Sequence, residues 1–362
     1  MPEASRQEKR GRWKRRMNLK TLFESPNLFL LAFEPPNAVF ATMDIHAYRR
    51  SIFLDGRISP RTPDQHRIRY DQLIELQAQR DLPKPAISWI FHIAHCGSTL
   101  LARALDRPGE TFVVREPLAL RQISTEGASR FGVAPRDTEW QNRLDLVAHL
   151  LSRRYEPSDQ VIVKANVPVN FVIPDLLKIA PPEPSIVLYF SLENYLTAIL
   201  RSADHKRWVA NIVRENRRAI QDLTPLSATM SLAEFAAALW LAQIRMFAIA
   251  QANSQAIASL DAEYFFNNPR PALEAAFVHI GRPQSAQQLD AIVGSDLFST
   301  YSKRPTAAFD NEARLARRKA LAEPMRDELT AARRYIEAAR RTHPFPDRLA
   351  RPLGGVAPDL VG

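Results

Sequence analysis

Residues 87–105 read ISWIFHIAHCGSTLLARAL, and the fold turns on them. The apolar run Ile87, Trp89, Ile90 and Phe91 predicts a strand. A tight His95-Cys96-Gly97-Ser98-Thr99 segment follows, and Leu100-Leu101-Ala102-Arg103-Ala104-Leu105 continues as a helix. Strand, glycine turn, then helix is a geometry that holds phosphate. Amides at a helix start have no intrahelical acceptor, the helix dipole adds positive potential, and glycine admits close approach. Ser98 and Thr99 add two hydroxyls. The Walker pattern Gly-x-x-x-x-Gly-Lys-Ser/Thr is incomplete, because the early glycine is missing and no lysine precedes Ser98. The plain alternative is a strand–turn–helix connection in which Gly97 only makes the turn.

Outward from this stretch, strands and helices alternate. Strands are predicted at 87–93, 111–114, 160–164 and 185–190. Helices are predicted at 98–106, 139–154, 169–179, 193–202 and 231–252. β-Branched runs separated by helices of ten or more residues predict an α/β fold, a parallel sheet with helices on both faces. Right-handed crossovers bring the loops after the strands to one edge, where ligands of open α/β sheets bind. Those loops hold His95 to Thr99, Arg115-Glu116-Pro117, Lys164-Ala165-Asn166 and Ser191 to Asn194. Residues 121–138 read as a long loop and a candidate substrate lid.

The chain has 362 residues, ordinary apolar content and one cysteine, Cys96. No internal disulfide is possible and no cysteine metal site is supported, so no metal is expected. A reducing, cytoplasmic setting follows as the expectation. No apolar run of about 18 residues suggests a spanning helix, and no secretory leader is evident. Residues 1–16 carry seven basic side chains against Glu3 and Glu8, a net +5 that is half of the chain's +10. No recognition motif for a specific nucleic acid accompanies that tail. The expected organisation is a disordered basic tail (1–18), a flanking or lid segment (19–85), a P-loop-type domain (86–310), a helical extension (311–343) and a poorly ordered tail (344–362). In the flank, 37–43 reads as a strand and Asp44 as the cap of a helix holding Ala47, Tyr48 and Ile52.

Taken together, the motifs resemble the sulfotransferase superfamily over about residues 86–310. Ile93 to Leu100 resembles its 5′-phosphosulfate loop. Lys164-Ala165-Asn166-Val167-Pro168 resembles its Lys-Thr-His-Leu-Pro element. Asp261-Ala262-Glu263-Tyr264-Phe265 through Asn268-Pro269 to Ile280-Gly281 resembles its late Tyr-Glu-Asp-Leu segment. Arg115-Glu116-Pro117 and Ser302-Lys303-Arg304-Pro305 are similar to a bacterial branch. The resemblance implies 3′-phosphoadenosine 5′-phosphosulfate as sulfate donor, adenosine 3′,5′-bisphosphate as product, and a hydroxyl or amine acceptor that the sequence does not identify. Cys96, Gly97, Ser98 and Thr99 would hold the 5′-phosphate and sulfuryl oxygens.

The departures carry the chemistry. The superfamily usually has Lys or Arg where His95 stands, so His95 would serve as that cation only if protonated; otherwise it closes the turn. The acceptor-activating His aligns with Asn166, which takes no proton. Glu116 is the replacement base, or else a brace paired with Arg115 or Arg121. Lys164 contacts the bridging phosphate region, or is a solvated strand end. The usual 3′-phosphate pair falls near Phe190 or Ser191 and Ala198 or Ile199, where it is missing. Arg201, with Ser202, Lys206 and Arg207 beyond it, or better Lys303 and Arg304, would replace it. His92 reads as structural, and Cys96 as a small loop residue. Two other functions stay open: an ATP- or GTP-dependent phosphotransferase, and a catalytically degenerate binding protein on the same fold.

Overall fold

Five short strands, each buried from end to end or nearly so, set the architecture: β4 (Ser88–His92), β5 (Thr111–Arg115), β6 (Gln160–Lys164), β7 (Glu183–Tyr189) and β8 (Ile257–Asp261). The computed structural model describes residues 21–132, 136–355 and 357–361, so the basic tail expected over 1–18 lies outside the described residues. The five strands form one parallel sheet in the order β5-β6-β4-β7-β8. Successive strand residues point to opposite faces, and all five residues of β4 and of β5 are buried. Both faces of the sheet are therefore covered, as a parallel sheet requires.

Helices supply that cover. α3 (Ser98–Ala104) packs on β4, β5 and β6, and α12 (Pro269–His279) packs on β7. α10 (Leu232–Asn253) is 22 residues long and opens with a Ser231–Glu234 capping box. It is apolar all round, with the length and hydropathy of a membrane span, and most of it is buried inside the molecule. An all-round apolar helix suits such a core position. Trp240 on it donates its indole N–H to the Phe190 carbonyl at 3.0 Å.

The N-terminal flank is an antiparallel sheet of β1 (Leu28–Glu34), β2 (Asn37–Thr42) and β3 (Gln65–Arg69), with α1 (Ile45–Arg50) after β2 and α2 (Tyr70–Ala78) after β3. Asp44 caps α1 as expected, accepting from Ala47 N at 2.7 Å. This flank is knitted into the main sheet at the end of β5. The Arg115 guanidinium at the end of β5 is buried and donates to the carbonyls of Tyr48, Arg49 and Ser51 at 2.6–3.1 Å. Leu54 N donates to Arg115 O at 2.8 Å, and Leu118 N to Leu54 O at 3.0 Å. Residues 51–54 are thereby laid against the end of β5.

Two expectations are corrected here. The first half of the stretch read as a loop over 121–138 is α4 (Leu118–Ser129), with α5 (Thr138–Leu151) starting at its end. Gly127 disguised the helix. A Cβ there would lie 2.5 Å from Trp140 Cζ2, so close helix packing demands glycine inside α4. The second concerns 344–362, expected to be poorly ordered. Residues 349–353 run along the edge strand β8: Ser259 N donates to Arg351 O at 3.0 Å, and Leu353 N to Ser259 O at 2.7 Å. Leu349, Ala357 and Leu360 are buried. Proline and glycine prevent a regular ladder there, but not packing over an open sheet edge.

Candidate functional site

The sheet's carboxyl edge gathers the residues that the strand order brings together. After β4 the chain turns tightly. His95 (φ 61°) and Gly97 (φ 83°) both occupy the left-handed region before α3 begins at Ser98. For His95 that conformation costs about 1–3 kcal/mol. At Gly97 a Cβ would meet Phe266 Cζ at 2.7 Å, so ring and turn require glycine. Cys96 is buried, and its Sγ lies 2.9 Å from the Ile93 carbonyl as donor. Burial pushes its pKa up to about 12, which makes it a packed thiol and not a nucleophile. His92 is structural, as expected: its two ring nitrogens lie 2.8 Å from the Ile93 and Ala165 carbonyls, and burial pulls its pKa down to about 3. Ser98 and Thr99 are buried at the turn, and Thr99 Oγ1 has no hydrogen-bond partner.

β5 and β6 are neighbours, with Arg115 opposite Lys164, so Glu116 projects one residue past the pair. Glu116 also takes a left-handed conformation, φ 52°. Its carboxylate pairs with the Lys164 ammonium. This corrects two expectations: Lys164 is fully buried, not a solvated strand end, and Glu116 braces neither Arg115 nor Arg121. Arg115 is taken by the flank and Asp106, and Arg121 by Glu215 at 2.5 Å. Burial pushes the Glu116 pKa up, but Lys164, His92 and Lys303 more than offset it and hold the carboxyl at about 2. In this state Glu116 is ionised and a weak base. Asn166, two residues after Lys164, is buried, with Oδ1 unpartnered.

Residues 51–57 of the flank close over this pair. The Phe53 ring centroid lies 4.0 Å from Arg57 Cζ, 5.6 Å from Lys164 Nζ and 5.8 Å from Lys303 Nζ. One ring thus collects three cations, each attracted by its negative face. Lys303 stands on the turn between β9 (Thr300–Tyr301) and β10 (Arg304–Ala308). The residue is exposed at the rim, yet its ammonium sits among protein atoms, and desolvation followed by Lys164 repulsion pulls its pKa down.

The 95–99 turn opens into a cavity of about 160 Å³. His95, Gly97, Ser98 and Thr99 line one side of it, and Phe190, Phe266 and Phe309 form an apolar wall. Phe190 and Phe266 are near parallel, with centroids 6.3 Å apart. Cations line the cavity as well. Arg201 and Lys303 belong to the sequence-derived set, and neither has a carboxylate partner within salt-bridge distance among the described residues. Arg304 pairs through its backbone with Tyr301, and its side chain lies outside the described groups. Phe190 and Ala198 also face the cavity, so the two positions where the resemblance sought a phosphate pair are open but apolar.

Three cavity residues escaped the sequence reading: Arg314, Arg317 and Arg318, all on α15 (Asn311–Ala322). Arg314 and Arg318 are held by Glu263 at 2.7–3.0 Å, Arg318 also by Asn194 Oδ1 at 2.8 Å, and Arg317 reaches the Tyr301 hydroxyl at 3.1 Å. Their spacing was a usable signal, since i, i+3 and i+4 share a helix face. The boundary drawn at 310 hid it: the helical extension supplies a wall of the site.

In the free protein the His95 ring is neutral. Burial, then Lys303, His205 and Arg201, pull its pKa down to about 2. The site therefore combines a turn with an orphaned buried hydroxyl, a cavity with uncommitted cations, and a locked carboxylate–ammonium pair. That combination suits a ligand with more than one anionic group and a planar apolar part.

No protein-family model matches the chain, and no curated protein matches it in sequence. Among solved structures, it is similar to a sulfotransferase domain from the curacin biosynthetic pathway. The match has 11% identity and a TM-score of 0.36, and covers 62% of this chain and 83% of that one. That likeness is too distant to bear on chemistry.

Proposed function

We propose that this protein transfers a sulfuryl group from 3′-phosphoadenosine 5′-phosphosulfate to a hydroxyl or amine acceptor. The observation that carries the reading is the cavity itself. A phosphate-type turn, with Thr99 Oγ1 buried and unpartnered, shares one cavity with Arg201, Lys303 and an aromatic wall. Backbone amides of the turn and the Ser98 and Thr99 hydroxyls would hold the 5′ end. Arg201, Lys303 and the Arg314–Arg317–Arg318 face would hold the 3′-phosphate, and Phe190 or Phe266 would flank the base. The donor, when bound, supplies an activated sulfuryl group on a phosphate leaving group.

The chain's own residues do the rest. Lys164, once shared with an anionic oxygen, holds Glu116 less tightly. Burial then pushes the Glu116 carboxylate's proton affinity up, which makes it a better base for the acceptor's proton. Phe53 and the 51–57 segment keep water from that pair.

Calorimetry with adenosine 3′,5′-bisphosphate tests the reading. Binding at micromolar affinity or tighter is expected, and binding far weaker than that refutes it. Preference for ATP with magnesium would select a phosphotransferase instead. The pairing of Glu116 with Lys164 and the presence of Asn166 favour a second reading, a nucleotide binder without transfer. Tight bisphosphate binding with no turnover of the sulfated donor on any hydroxyl or amine would select it.

A further inference from the structure

The turn's unusual side chain, His95, does not stand alone. Its ring centroid lies 4.4 Å from that of His205 with planes at 51°, and the Trp208 ring is edge-on at 5.9 Å. His205 sits in the first turn of α8 (Ala203–Glu215). Its Nδ1 lies 2.6 Å from the hydroxyl of the N-cap Ser202, which orients the ring. The other nitrogen, Nε2, is buried with no hydrogen-bond partner. A phenylalanine would pack equally well without leaving a buried nitrogen bare, so packing alone does not account for the pair.

The charged groups facing the pair come from four elements. Lys303 projects from the β9–β10 turn, Arg201 precedes α8, and His92 lies on β4; Asp204 is the acidic group facing His205. Burial and these cations hold both imidazoles neutral in the free protein. Such a field is one that an anion reverses, because phosphate oxygens at residues 97–99 would be close neighbours of the His95 ring.

We propose that His95 and His205 act as one proton acceptor, taking up a proton from solvent when a nucleotide's 5′-phosphate enters the turn, and so supplying the cation missing from the loop. This rests on the nucleotide reading above. The new N–H bond is the only covalent change, and the proton returns to solvent when the nucleotide leaves. His205 is a positioning residue: it shares the charge with His95 and sets the ring's tilt through Ser202.

The test is calorimetry of the full chain with adenosine 3′,5′-bisphosphate at mildly alkaline pH, in buffers of low and high ionisation enthalpy. The expected heat changes with buffer in proportion to a net uptake of up to one proton, and affinity weakens by up to about tenfold per pH unit on the alkaline side. Phosphate, with a second pKa of about 6, can only release protons on meeting cations, so uptake cannot come from the ligand. Lys303, whose pKa is also pulled down, is excluded as the source by Lys303→Arg, which keeps the charge without titrating: uptake that persists there supports the histidines, and uptake that vanishes belongs to Lys303 and overturns the proposal. His205→Phe keeps the ring contact and should cut the uptake by about half or more. Intact binding with the same heat in every buffer overturns the proposal, and unchanged uptake in His205→Phe removes His205 from it. Absence of any binding instead overturns the nucleotide reading, and this proposal with it.

Discussion

Thr99→Val separates the cost of an orphaned hydroxyl from its use. Thr99 is 2% exposed, and its Oγ1 has no partner. A buried hydroxyl without a partner costs about 1–3 kcal/mol, and valine keeps its shape and branching. Helix propensities of the two are nearly equal, so α3 is not otherwise disturbed. The free protein should therefore gain about 1–3 kcal/mol. For 362 residues, unfolding entropy is about 0.8 kcal/mol/K, which converts the gain to about 1–4 °C in Tm. Nucleotide binding should move the other way. One hydrogen bond to a charged oxygen is lost, about 1.5–3 kcal/mol, so Kd rises about 10- to 150-fold. Thermal melts without and with adenosine 3′,5′-bisphosphate, beside calorimetry, read both signs. A variant that melts lower than the parent yet binds with unchanged affinity would refute the reasoning, because the hydroxyl would then serve the fold and not the ligand.

Glu116→Gln strands a fully buried Lys164 ammonium and should cost about 3–5 kcal/mol, while Glu116→Gln with Lys164→Met recovers most of it; chemical denaturation checks both. The Glu116 pKa is depressed to about 2, so its contribution is complete above the unfolded carboxyl pKa and is lost as pH falls through about 2; an acid titration of stability should lose that step in the Gln variant. Arg201→Ala removes an exposed cation of the cavity wall and should weaken adenosine 3′,5′-bisphosphate by about 1 kcal/mol, about fivefold, with less effect on adenosine 5′-phosphate. Gly127→Ala places a methyl 2.5 Å from Trp140 Cζ2 and 2.8 Å from Val172 Cγ1; overpacking of about 1–3 kcal/mol should outweigh the helix-propensity gain of about 1 kcal/mol, read as a lower urea midpoint at constant m.

The alternation of β-branched runs and helices exposed four of the five parallel strands, because those strands are buried on both faces and read as unbroken apolar stretches. β8 escaped by name: Ile-Ala-Ser-Leu-Asp is short, and two small residues dilute its pattern. Strand order is not written locally, so Glu116 and Lys164 could each be placed at the carboxyl edge but not paired. That pairing exists because β6 lies between β5 and β4. Arg201 and Lys303 were named through the resemblance, as basic substitutes for its missing phosphate pair, and both line the cavity. Arg314, Arg317 and Arg318 were not, because α15 returns to the site only by tertiary packing, through Glu263. His205 was visible only as a residue of a charged segment. Its meeting with His95 depends on the seat of α8.

The grip of Arg115 on three carbonyls beside α1 makes the flank inseparable from the sheet. A fragment trimmed to begin at residue 86 would strip that guanidinium of its acceptors and remove the ring that screens Lys164. Shuffling the two halves between homologous chains would fail for the same reason unless residues 48–57 travelled with β5. What looks like an accessory lobe is a cooperative part of the cavity's surroundings and should melt together with the sheet.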